Sequence, residues 1–145
     1  MASNGKSAIL VVDDEASILY YVRRVLEQIH YAVITSPDGD RAWGVFERGS
    51  IKIDLVLTDL VMPGSIDGLT LAAKIRQTNA ELPVLFMTGA ALEDDQYAAA
   101  IARKKLLLRK PFSPSQLVQF IESHFLGIPN ADAQGSGESP CTPSD

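Results

Sequence analysis

A doubly wound α/β fold on a five-stranded parallel sheet is what this sequence predicts. Short apolar runs alternate five times with stretches of helical periodicity, the signature of strand–helix–strand units. The runs are apolar almost without interruption, as strands are when helices cover both faces of a sheet. Polar side chains gather where the runs stop, which is where ligands bind in open α/β sheets.

Ile9–Val12 is the first strand, ended by Asp13 and Asp14. A helix follows, with Ile18, Val22, Val25 and Ile29 spaced four, three and four apart on one face. Ala32–Thr35 is short and rich in β-branched residues, a second strand ending at Thr35 and Ser36. Pro37–Gly49 forms a weaker helix, with Ala42, Val45 and Phe46 inward and Gly49 at its end. Ile53–Thr58 is the third strand and meets Asp59. Gly68–Thr78 is helical, with Leu69, Ala72 and Ile75 on one face. Pro83 introduces the fourth strand, Val84–Thr88. A helix around Glu93–Ala102 precedes the fifth strand, Leu106–Arg109, which runs into Lys110. The last helix opens with Ser113 as N-cap, Pro114 at the first helical position and Gln116 closing a capping box. Leu117, Phe120, Ile121 and Phe125 give its buried stripe. The implied strand order is the flavodoxin-like 2-1-3-4-5, with five helices.

Residues 1–127 are read as the folded domain and 128–145 as a disordered tail or linker. That tail has three prolines, two glycines, no Lys or Arg and few large apolar residues, too little burial to offset its ordering entropy. With 145 residues, 46% of them hydrophobic, the chain has material for one core. A net charge of −5 argues against a nucleic-acid-binding face. No apolar stretch approaches the roughly 20 residues that span a bilayer. The opening MASNGKSAILVVDDE carries one lysine and a short apolar run before its aspartates, unlike a secretory signal. The single cysteine, Cys141, allows no disulfide within the chain, which suits the reducing cytoplasm.

Asp13, Asp14, Asp59, Thr88 and Lys110 all fall at the carboxyl ends of strands. Converging carboxylates repel, and a hard divalent cation such as Mg2+ resolves that repulsion with oxygen ligands. A lysine adds a mobile positive charge and a threonine hydroxyl a donor. Carboxylate nucleophile, cation site, ammonium and donor are the parts that in-line phosphoryl transfer to an aspartate needs. Asp59 is expected to be accessible at this mouth rather than buried. Asp54 and Asp67 are read as solvent-facing loop acids without chemistry.

ILVVDDE (9–15), LTDLVMPG (57–64), FMTGA (86–90) and RKPF (109–112), in this order, resemble the motifs of response-regulator receiver domains of two-component signalling. The resemblance covers about residues 7–126. It implies that Asp59 is the phospho-acceptor, that Asp14 binds Mg2+ directly and Asp13 largely through water, and that the Val61 carbonyl is a backbone metal ligand. It implies that Thr88 and Lys110 hold the phosphoryl group, and that the Lys110–Pro111 peptide is cis. The donor would be a histidine kinase or a histidine phosphotransfer protein. The signal would leave through the face of the fourth helix, fifth strand and fifth helix, about Glu93–Phe125, with no membrane or nucleic-acid partner. Such a domain is no enzyme toward outside substrates; it catalyses only its own phosphorylation and dephosphorylation.

Two features depart from the pattern. Leu107 stands where receivers usually carry an aromatic switch residue, three before the lysine. PGSIDG (63–68) is one residue longer than the common form, resembling receivers fused to hybrid sensor kinases. An alternative is an Mg2+-dependent aspartyl-phosphate phosphatase, which usually carries a second acid two residues after its nucleophile for general acid–base work; here that position is Val61. A flavin- or nucleotide-binding module would want a Gly/Ser/Thr loop after the first strand, where this chain has DDEAS.

Overall fold

The computed structural model of the chain describes residues 6–89 and 96–125. In order these form β1 (Ala8–Val12), α1 (Ala16–Gln28), β2 (Ala32–Ser36), α2 (Gly39–Arg48), β3 (Leu55–Asp59), α3 (Gly68–Thr78), β4 (Val84–Thr88), α4 (Gln96–Arg103), β5 (Leu107–Arg109) and α5 (Pro114–Phe125). All strand pairings are parallel, and the order is β2-β1-β3-β4-β5. The predicted architecture is therefore the observed one.

Alternation along the strands divides the core in two. Ile9, Val11, Leu55, Leu57, Leu85 and Met87 pack against Val22, Val25 and Leu26 of α1 and Leu117, Ile121 and Phe125 of α5. On the other face, Leu10, Val12, Val56, Val84 and Phe86 meet Ala42 of α2 and Leu71, Ala72 and Ile75 of α3. Each such aliphatic side chain, once buried, contributes about 1.5–3 kcal/mol. That gain offsets the cost of the carboxylates held at the sheet's end. No helix among the described residues is long and apolar enough to cross a membrane.

Several boundaries shift for local reasons. Asp38, not Pro37, caps α2, its carboxylate accepting the Arg41 N–H at 2.8 Å. Residues 53–54 precede β3 rather than belong to it; Asp54 instead turns back to accept the Ala8 N–H at 2.8 Å. The α5 capping box forms as read, with Ser113 Oγ accepting the Gln116 N–H at 3.1 Å and Gln116 Oε1 accepting the Ser113 N–H at 2.8 Å. The expected start of the fourth helix at Glu93, together with Ala90 and the tail 128–145, lies outside the described residues.

Candidate functional site

Register places the polar strand ends side by side. β1 stops at Val12, so Asp13 and Asp14 leave the sheet next to Asp59, the last residue of β3. Asp59 pairs with Met87, which puts Thr88 one residue further along the neighbouring strand. The Lys110 N–H donates to the Thr88 carbonyl at 2.8 Å, bringing the lysine to the same mouth. Carboxylate oxygens of Asp13, Asp14 and Asp59 lie within 4.8 Å of one another. The three acids, all hard oxygen donors in one cluster, fit a divalent cation.

Asp13 is completely buried. Its Oδ1 accepts the Glu15 N–H at 2.9 Å and its Oδ2 the Lys110 ammonium at 2.7 Å. Asp59 Oδ1 accepts the Val61 N–H at 3.2 Å, and Oδ2 lies 3.3 Å from Lys110 Nζ. Asp14 is exposed. Glu15 adds a looser ion pair, 3.7 Å from the same ammonium.

The expectation of an accessible Asp59 is corrected: its side chain is 9% exposed, and that of Lys110 11%. Lys110 lies against the carboxylate, its Nζ 3.3 Å from Oδ2, and the chain after Asp59 folds back over the Asp59 backbone so that the Gly68 N–H donates to the Leu60 carbonyl at 3.2 Å. Glycine is required there, because a Cβ on Gly68 would sit 2.2 Å from the Asp59 carbonyl oxygen.

Burial first, and the neighbouring Asp13 charge second, push the Asp59 carboxyl above its ordinary range. The Val61 N–H and Lys110 pull the other way without reversing it. Burial draws the Lys110 ammonium down, but its bond to Asp13 and the charges of Asp13 and Asp59 leave it raised overall. The mouth thus holds more negative charge than one lysine balances, a deficit that a divalent cation would fill.

Thr88 is buried at the end of β4. Leu107 pairs with Phe86 in register and packs half-buried against the α2–α3 side of the core, two pairs below Thr88 on the same sheet face. Val61 is an exposed apolar residue, 58% accessible, beside Asp59, whose Oδ1 its N–H holds. The Lys110–Pro111 peptide is cis.

Two acids have roles that the sequence reading denied them. Asp67 is the N-cap of α3, accepting the Thr70 N–H at 2.8 Å; an Asp just before an apolar helical run is the signal that finds it. Asp54 anchors β1 through Ala8, 46 residues away, and no local pattern announces it. In the longer loop, Ser65 Oγ donates to Asp40 Oδ1 of α2 at 2.7 Å.

Residues 9–122 match the family described as the response regulator receiver domain. Among curated proteins, the chain is 35% identical over 118 residues to the transcriptional regulatory protein ResD of Bacillus subtilis, covering 81% of this chain and 48% of ResD. It is 38% identical over 98 residues to the 3',5'-cyclic-nucleotide phosphodiesterase regA of Dictyostelium discoideum, covering 66% of this chain and 12% of that protein. The chain thus spans about half, or less, of the length of these relatives. Among solved structures, NtrX from Brucella abortus superposes with a TM-score of 0.73 at 29% identity, over 84% of this chain and 27% of NtrX. The response regulator TrrA from Thermotoga maritima, in complex with Mg(2+)-BeF, superposes with a TM-score of 0.68 at 29% identity, over 81% of this chain and 97% of TrrA. A motif set, a strand order and a family profile that agree over the same residues make this chain a member of the response regulator receiver domain family.

Proposed function

We propose that the chain is a phospho-accepting switch in a two-component phosphorelay, with Asp59 as acceptor. The observation that carries this is the convergence of three carboxylates and one ammonium at a single strand-end mouth, with Lys110 Nζ 2.7 Å from Asp13 and 3.3 Å from Asp59. In this reading an Asp59 carboxylate oxygen attacks the phosphorus of a phosphohistidine in line. The P–N bond breaks and the imidazole leaves, taking a proton from solvent. Lys110 exchanges its carboxylate partners for the incoming phosphoryl oxygens, and the Thr88 hydroxyl donates to another of them. Asp13, Asp14, Asp59 and the Val61 carbonyl would hold Mg2+, which when bound neutralises charge on the carboxylates and the phosphoryl group. The solved TrrA complex with Mg(2+)-BeF supports such a site in a relative of this fold.

The donor is a histidine kinase or histidine phosphotransfer protein, and the output face is that of α4, β5 and α5. The competing phosphatase reading lacks its second acid, because Val61 occupies that position. Incubation with acetyl phosphate and Mg2+ separates the two. A receiver gains one hydroxylamine-labile phosphoryl group per chain and shows little turnover of phosphate esters. Steady multiple turnover of an ester without a trapped adduct would favour the phosphatase.

A further inference from the structure

Lys110 sits on a short strap, residues 110–113, between the end of β5 and the start of α5. The sheet ties one end of it, through the Lys110 N–H on the Thr88 carbonyl at 2.8 Å. The other tie comes from α1, 91 residues away in sequence. There the Tyr21 hydroxyl donates to the Phe112 carbonyl at 2.9 Å, and the two rings lie 5.9 Å apart, tilted at 41°. Phe112 is 9% exposed, so water is a poor substitute donor for that carbonyl. Tyr21 packs against the α1–α5 side of the core. A phenylalanine would fill the same apolar space, so packing alone does not call for the hydroxyl.

The ammonium that this strap carries has three carboxylates in reach: Asp13 at 2.7 Å, Asp59 at 3.3 Å and Glu15 at 3.7 Å. These options differ by about an ångström or less, and misplacement on that scale is enough to impair group transfer. A lysine stem is flexible, so its aim depends on where its backbone is held. We propose that Tyr21 is a positioning residue of the phosphoryl site. Through the Phe112 carbonyl it fixes the strap that holds the Lys110 ammonium between the Asp13 and Asp59 carboxylates. The inference rests on the phospho-acceptor reading above.

The test compares wild type and Tyr21→Phe as full chains. Three quantities are measured: the limiting rate of phosphoryl uptake from acetyl phosphate at saturating Mg2+, the half-saturating Mg2+ concentration, and the NMR resonance of the Lys110 ε-methylene in metal-free protein. Lys110→Arg identifies that resonance. The expected result is a limiting rate lowered about fivefold, equivalent to one hydrogen bond of about 1 kcal/mol. Half-saturating Mg2+ is expected to stay unchanged, while the Lys110 resonance moves toward those of exposed lysines. A folded Tyr21→Phe variant with the wild-type rate and an unmoved Lys110 resonance overturns the proposal. So does a variant that unfolds, because the hydroxyl would then serve the fold as a whole. If wild type itself takes up no phosphoryl group, the phospho-acceptor reading fails on that result alone. The Lys110 resonance then still decides whether Tyr21 holds the strap.

Discussion

Asp59 carries its charge at a cost when no metal is present, because burial and Asp13 both oppose it. If Asp59 takes a phosphoryl group as proposed, the same burial would limit which waters reach it. Val61 extends this control: its N–H holds Asp59 Oδ1, while its exposed side chain offers no hydrogen bond to an attacking water. Val61→Asn should therefore shorten the life of the aspartyl phosphate. One added ordering contact of about 1.4 kcal/mol in the barrier corresponds to roughly tenfold in rate. Phosphate release from purified phosphoprotein in excess Mg2+ measures it, and unchanged or slower release would count against a water-positioning role. A second residue reports on the α1–α5 core. Tyr31 stacks on Phe125 with ring centroids 5.3 Å apart. Burial, then the Glu122 charge, push its hydroxyl up to about 12. For a raised pKa, the stability contributed is full below the unfolded value near 10 and is lost as pH climbs toward 12. Between about pH 9 and pH 11.5, wild type should lose about 2 kcal/mol more than Tyr31→Phe in denaturant melts. Parallel pH dependence of the two proteins would mean that Tyr31 ionises without opening the core.

At the scale of elements, the β3–α3 connection decides how the Asp59 backbone is held. Gly68 begins α3 with its Cα against the Asp59 and Leu60 backbone, so no side-chain rotation can relieve an added methyl. Gly68→Ala should destabilise the fold by about 1–3 kcal/mol and weaken Mg2+ binding by shifting the backbone that carries Asp59. Gly44→Ala is the control. Its Cβ would meet only the Arg48 Nη1 atom, at 3.6 Å, within the helical run of α2. It should gain about 0.5–1 kcal/mol. Thermal melts of the two variants test this, and equal effects would show that the close approach at Gly68 is not limiting. The difference between these glycines was not legible in the sequence, because it depends on a loop folding back over a strand end. The burial of Asp59 is not legible for the same reason, nor are the Ala8–Asp54 and Tyr21–Phe112 hydrogen bonds. All of them are made between residues brought together only by the fold. The Ser113–Gln116 capping box was legible because both partners lie within one turn.

Over the whole molecule, strand order and the site's location could be read because they follow from periodicity and from where apolar runs stop. Ile9–Val12, Leu55–Leu57 and Val84–Met87 are buried on both faces of the sheet, so their uninterrupted hydrophobicity was a direct imprint of the parallel architecture. A cation bound at the mouth that results would be linked to global stability. If Mg2+ binds only the native state, a hundredfold excess over its dissociation constant adds about 2.7 kcal/mol. Asp14→Ala should abolish most of that gain while leaving the metal-free fold intact. A wild-type thermal midpoint indifferent to millimolar Mg2+ would contradict a metal site at Asp13, Asp14 and Asp59. The central claim is that Asp59 accepts the phosphoryl group, and peptide mapping by mass spectrometry tests it most directly. Wild type and Asp59→Asn are treated with acetyl phosphate and Mg2+, and the labelled peptide is sequenced. The account predicts one phosphoryl group on Asp59 in wild type, and none in a folded Asp59→Asn variant. Labelling of Asp59→Asn at wild-type stoichiometry, or a wild-type adduct mapped to another residue, would contradict it.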